Sequence, residues 1–213
     1  PATFMALYGN SDNGTDVING TVNEFVRKYM GTQLSRIDSK PVFLYNTWYP
    51  FRTFVSDSLI RDVAKAAAEC GIQEFIIDDG WQINDKAETS EKAWGGNYGD
   101  WLVDRNKFPN DLKYTFDYIR SLGMKPGLWI SIGSATSNAK VYKDHQEWFV
   151  KNSKGNPGNL HHVVDDDKSD LYTSCFGTDW FDYIKKVILV LVKEHGLSYS
   201  KLDLSLLTSA YVD

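Results

Sequence analysis

From Pro41 onward the sequence alternates short apolar runs with helix-period segments, and this alternation constrains the fold more than any other feature. Val42-Phe43-Leu44-Tyr45, Phe75-Ile76-Ile77, Pro126 to Ile130 and Tyr199 to Leu204 read as strands. After the first of them, Ile60, Val63, Ala67 and Cys70 recur at helical spacing in a helix opened by Ser56 and stopped by Gly71. Leu112, Phe116 and Ile119 mark a second helix closed by Gly123. A further helix is expected around Val141–Val150, and a strongly apolar one from about Trp180 to His195, ended by Gly196. Strand–helix alternation predicts an α/β fold with a parallel sheet. Continuous apolar strands predict a sheet covered on both faces.

Polar and aromatic residues cluster just after each apolar run: Trp48, then Asp78, Asp79 and Trp81, then Trp129 and Ser131, then Lys201 and Asp203. A β/α barrel builds its site at the carboxyl ends of its strands; a doubly wound open sheet places ligands there too. No glycine-rich phosphate loop follows the first strand, which argues against a nucleotide fold. A complete (β/α)8 TIM barrel takes about 250 residues. Here about four strand–helix units occupy 41–213, with long loops at 82–110 and 131–175. The expectation is therefore the amino-terminal half of such a barrel. Residues 1–40 read as a lead-in segment, with turns at Ser11-Asp12-Asn13-Gly14 and Ile18-Asn19-Gly20 and a helix over Val22–Met30. Half a barrel leaves two strand edges unpaired, so the sequence reads as an excerpt of a longer polypeptide.

The net charge of −5 is spread over interspersed acids and bases, with no basic stripe for nucleic acid and no Lys/Arg cluster for an anionic membrane. The longest apolar stretch, Val187 to Val192, is far too short to span a bilayer. No basic leader or cleavage pattern opens the chain, and the compartment stays open. Cys70 and Cys175 read as buried thiols rather than a disulfide. An aromatic content of 14% suits stacking on sugar rings, but large cores use aromatics as well.

Two constellations carry chemistry. Lys201 and Asp203 lie two apart in a strand and so share a face. An ammonium at that distance keeps a carboxylate ionised, the form a nucleophile needs; a structural ion pair is the other reading. Asp78-Asp79-Gly80-Trp81 puts two carboxylates at a strand tip, with Gly80 to turn the backbone and Trp81 to offer a flat wall. Hydroxyl binding, metal binding and an Asx-type turn all remain open for it.

These residues also form an ordered set. Asn46-Thr47-Trp48, Asp78-Asp79-Gly80-Trp81, Gly99-Asp100-Trp101, Lys107-Phe108-Pro109-Asn110, Leu122-Gly123-Met124-Lys125 with Gly127-Leu128-Trp129, and Lys201-Leu202-Asp203 follow one another in order. Over roughly 22–213 the chain resembles family 36 glycoside hydrolases, the α-galactosidases or melibiases and their raffinose synthase relatives. The resemblance implies Asp203 as catalytic nucleophile and Lys201 as a contact to sugar hydroxyls. It implies Asp78 and Asp79 as the pair that binds a terminal galactose, and Trp48 and Trp129 as aromatic walls. It implies a retaining glycosidase acting on an oligosaccharide or other galactoside, with no metal or other cofactor; transfer to a sugar, or binding without catalysis, are the alternatives. A homo-oligomer stays open.

The family's general acid/base Asp lies on a later strand, so no residue of 1–213 takes that role and this chain alone is expected to be inactive. Ile130-Ser131-Ile132-Gly133-Ser134 stands where many hydrolases of the family carry an acidic, proline-containing turn. Asn159-Leu160-His161 stands where many place an Arg before the stretch matching His162-Val163-Val164-Asp165. Galactose and N-acetylgalactosamine both stay open as glycone. His161-His162 and Asp165-Asp166-Asp167 read as a solvated loop rather than a metal site. Trp94, Tyr98 and Trp101 suit sugar contact or loop packing, with Asp100 a polar candidate beside them. Trp180, Phe181, Tyr183 and Ile184 read as core of an outer helix layer.

Overall fold

The computed structural model describes residues 13–29, 42–84, 97–151, 154–155 and 170–204. The chain divides into two compact units, Pro1–Pro41 and Val42–Asp213. In the first, α1 (Gly14–Val17), a π-helical turn (Ile18–Val22) and α2 (Asn23–Tyr29) follow one another without a break. Ile18-Asn19-Gly20 is thus part of a helical run, not the reverse turn its composition suggests.

The second unit is α/β. Strand β1 (Leu44–Asn46) leads through the single turn α3 (Trp48–Phe51) into α4 (Asp57–Glu69) and β2 (Glu74–Ile77). Then come α5 (Asp111–Ser121), β3 (Lys125–Ser131), β4 (Ser134–Thr136) and α6 (Lys140–Asp144). Strand β5 (Leu171–Thr173), α7 (Trp180–Lys193) and β6 (Tyr199–Asp203) complete it. Helix α4 starts where the sequence says it should: Ser56 caps it, its hydroxyl accepting the Leu59 N–H at 3.3 Å. Ile60, Ala64 and Ala67 are its buried stripe. Cys70 falls beyond that stripe, at the cap, and is exposed rather than buried; Cys175 is half-buried, and both are free thiols.

The main sheet has the order β1-β2-β3-β6, every pair parallel. Spatial order follows chain order, with no reversal. Right-handed crossovers then put successive helices on one face of the sheet, and α4 and α5 do pack side by side. β2 is buried throughout and β3 nearly so, while β1 and β6 are partly exposed, with Leu44 and Leu202 open to solvent. Two-sided cover is thus a property of the central strands. The register sets Trp129 beside Lys201 and Ser131 beside Asp203. Since residues two apart share a face, all four project the same way.

A second, antiparallel sheet pairs β4 with β5, Ser134 opposite Thr173 and Thr136 opposite Leu171. It lies in the stretch that reads as a polar loop. The expected helix over 141–150 is correspondingly reduced to α6 and a 3-10 turn at Gln146–Trp148. In α7, Trp180 and Ile184 are core as expected, Tyr183 is half-buried, and Phe181 faces solvent.

Gly80 is the tightest point of the turn after β2. Its φ is +110°, and a Cβ there would come within 2.3 Å of the Thr53 carbonyl oxygen. Gly80→Ala is therefore expected to cost roughly 3 kcal/mol or more, read as a fall in the urea midpoint; an unchanged midpoint would contradict this packing.

Candidate active site

The site is assembled from the carboxyl ends of four parallel strands. At the end of β1, Asn46 Oδ1 accepts the Trp48 N–H at 2.8 Å, and Asn46 Nδ2 donates to Asp78 Oδ2 at 2.6 Å. The buried Thr47 hydroxyl accepts the Asp78 N–H at 2.9 Å, so β1 fixes both backbone and side chain of the first acid of β2's tip. Asp78 Oδ1 accepts the Asp79 N–H at 2.9 Å. Asp79 turns the other way: its Oδ1 accepts Gln82 Nε2 at 2.6 Å, and its Oδ2 accepts the Tyr98 hydroxyl. Beneath this turn, Lys107 Nζ donates to the Gly80 carbonyl at 3.0 Å.

From β6, Lys201 Nζ donates to Asp78 Oδ2 at 2.9 Å and lies 3.4 Å from Asp203 Oδ2. The same Asp203 oxygen accepts the indole N–H of Trp129 at 3.0 Å, and Oδ1 accepts the Leu204 N–H at 2.9 Å. Trp48, Asp78, Asp79, Trp129, Lys201 and Asp203, the six residues expected from sequence, all line one cavity with Tyr98 and Leu204. Its volume is about 220 Å³. That is below the roughly 300–1,000 Å³ of drug-sized pockets, so it suits one ring-sized polar molecule.

Electrostatics separate the acids. Partial burial disfavours charge on Asp203, yet the Trp129 and Leu204 hydrogen bonds and the Lys201 charge outweigh it and hold the carboxyl below its ordinary range. The Trp129 indole therefore joins Lys201 in keeping it ionised, a part that sequence spacing did not suggest. Burial likewise opposes charge on Lys201, but the Asp78 hydrogen bond and charge, then Asp203, raise it. Asp79 is the reverse case: burial, helped by the Asp78 charge, pushes it up despite the hydrogen bonds from Gln82 and Tyr98.

Trp81 is not a wall of the cavity. It is fully buried, stacks on Trp101, and donates its indole N–H to the Trp129 carbonyl at 2.9 Å. Asp100 is also committed elsewhere, accepting the Lys140 and Val141 N–H groups at the start of α6. Tyr98 makes the cavity contact that the sequence left undecided between sugar and packing, and Trp101 packs behind it. Asn46 and Gln82 support the acids without being foreseen individually; both sit within or beside the motifs that flank them. Among the described residues no group of His, Cys, Asp and Glu is arranged to hold a metal ion, and no helix is long and apolar enough to cross a membrane. Trp94, His161-His162 and Asp165-Asp166-Asp167 lie outside the described residues.

A family model described as Melibiase matches residues 2–211. The chain belongs to the melibiase family. It is 27% identical over 197 residues to the α-galactosidase AgaA of Geobacillus stearothermophilus, covering 92% of this chain and 25% of that protein. It is 28% identical over 198 residues to an Escherichia coli α-galactosidase, covering 91% and 26% respectively. This melibiase-family chain thus spans about a quarter of the length of these curated relatives. In fold it is similar to the Thermus thermophilus α-galactosidase TtGalA, solved with stachyose, at a TM-score of 0.65 and 23% identity over 79% of this chain and 33% of that one. AgaA, solved as a variant with raffinose, gives 0.61 and 23% over 77% and 21%.

The raised Asp79 yields a stability prediction. Its folded pKa lies above its unfolded value, so at neutral pH the fold carries the cost of a buried charge that vanishes once the group is protonated. Asp79→Asn is expected to raise the thermal midpoint at neutral pH, with a gain that shrinks as pH falls through that raised pKa. Calorimetry over a pH series from neutral into the acid range checks this; a lower midpoint throughout would refute it.

Proposed function

We propose that this chain carries the glycone-binding and nucleophilic part of a retaining glycosidase that cleaves terminal α-galactosides. In this reading the four parallel strands are the first four of a (β/α)8 barrel. Residues 1–40 lead into it and 41–213 form its amino-terminal half. Sequential strand order, with the polar side chains gathered at the carboxyl ends, supports that arrangement.

The observation that carries the proposal is the setting of Asp203: a carboxylate at the cavity wall, hydrogen-bonded by the Trp129 indole, 3.4 Å from the Lys201 ammonium and held below its ordinary range by them. Its carboxylate attacks the anomeric carbon as the bond to the leaving oxygen breaks, giving a covalent glycosyl-enzyme. The leaving oxygen takes its proton from a general acid, and water activated by the conjugate base later releases the sugar. Two inversions give net retention. Asp78 and Asp79, with Lys201, receive the sugar's hydroxyls; Trp48 and Trp129 flank its ring. In the acid's role neither Asp78 nor Asp79 fits. Asp78 is tied by Asn46, Lys201 and the Asp79 N–H, and Asp79 by Gln82 and Tyr98. The family resemblance implies an Asp of a later barrel strand in that role. The similarity to α-galactosidases supports the substrate class.

In the complete protein, Asp203→Gly is expected to lower kcat on an aryl α-galactoside by roughly 10⁴-fold. Azide, entering from the vacated face, should restore turnover and yield the β-galactosyl azide. Retained turnover in the variant would remove Asp203 from the mechanism, and added sugar acceptors would distinguish transfer from hydrolysis. Trp129→Phe keeps an aromatic ring but loses the N–H donor. Asp203 then holds its proton to higher pH, so the acidic limb of the kcat profile should move toward neutrality; an unmoved limb would show that the indole does not tune the carboxylate.

A further inference from the structure

We infer that Tyr98 is a positioning residue of the sugar subsite, its hydroxyl fixing the edge of Asp79 that receives a substrate hydroxyl. This rests on the galactoside reading above. Asp79 is 2% exposed, and what it can offer a ligand depends on how its two oxygens are held. Gln82 holds Oδ1 and Tyr98 holds Oδ2, so the carboxylate is braced against rotation from both sides. The Gly80 N–H adds a third hydrogen bond; two carboxylate oxygens accept about four in all, so acceptor capacity remains in a fixed direction.

The phenol is itself immobilised. Its ring stacks on Trp101 at 5.6 Å and 15°, and meets Trp129 at 5.3 Å and 53°. The Tyr98 carbonyl accepts the Thr136 N–H at 3.0 Å, and the neighbouring Gly99 carbonyl accepts the Tyr183 hydroxyl at 2.8 Å. The loop after β2 is thereby pinned to β4 and α7, and the hydroxyl is delivered to one point. Chemistry gives the contact a second effect. Asp79 sits beside the Asp78 carboxylate in a buried place, two conditions that favour taking up a proton, and a hydrogen bond to the charged form opposes them. Loss of that bond leaves Oδ2 unbraced and favours protonation of Asp79, and a protonated carboxyl offers a sugar hydroxyl fewer acceptors.

The test uses the full-length protein. Tyr98→Phe removes only the hydroxyl and keeps the stacked ring. KM for an aryl α-galactoside and the inhibition constant of free galactose are expected to rise together, by about tenfold. Over the same comparison kcat should change by less than about threefold, since the group lies away from the breaking bond. The acidic fall of kcat/KM should also set in at higher pH. In an Asp79→Asn background, galactose binding followed by calorimetry should no longer respond to Tyr98→Phe, because the partner it acts through is gone. A ring that serves only as packing would leave constants and pH profile as in the parent. That result, or an undiminished effect in the Asp79→Asn background, would overturn the assignment while leaving the function intact. A parent protein that neither cleaves the galactoside nor binds galactose would overturn both.

Discussion

One ammonium group makes the rest of this site tenable. Three carboxyl side chains, Asp78, Asp79 and Asp203, line a single cavity. Like charges so placed repel one another, and a cation set between two of them offsets that repulsion. Lys201 reaches Asp78 at 2.9 Å and Asp203 at 3.4 Å, joining the tip of β2 to the end of β6 across the intervening strand. Both acids it touches have further donors, so the cation is one member of a network in which acceptors are matched. Asp79, out of its direct reach, is the one pushed toward protonation, and a different pair of donors holds it.

Around that charge balance the aromatic side chains form a continuous support. Trp81 lies at the bottom and donates to the Trp129 carbonyl, while the Trp129 indole points outward to Asp203. Tyr98 and Trp101 close the stack from the side. Asp100, by capping α6, fastens the same loop to the small antiparallel sheet's neighbourhood. The polar side chains of the cavity are thus held by others locked in packing, as a preorganised site requires.

Much of this was legible in the sequence because strand periodicity is rigid. Lys201 and Asp203 had to share a face, and apolar runs ending in polar tips had to gather those tips at one edge of a parallel sheet. What was hidden depended on depth or on distant partners. Nothing in Asp-Asp-Gly-Trp says whether its Trp lines a cavity or lies under it; the answer came from Trp101 and Trp129, far along the chain. Strands β4 and β5 escaped notice because three residues such as Ser134-Ala135-Thr136 have no apolar period to detect. Cys70 matched the helical spacing but sat at the cap, one residue past the last turn, and spacing alone does not register where a helix ends.

The exit from β6 has a bearing on how the Asp203 carboxylate behaves in time. Leu204 sits at φ +47°, a region uncommon for a branched residue, and this bend aims its N–H back at the preceding side chain. With Trp129 on one oxygen and its own main chain on the other, Asp203 is clasped like a key held at both shoulders. Its χ torsions lose their freedom when the chain folds, not when a ligand arrives. The entropy of aiming that carboxylate is thereby settled on folding, and a single left-handed residue supplies one of its two clasps.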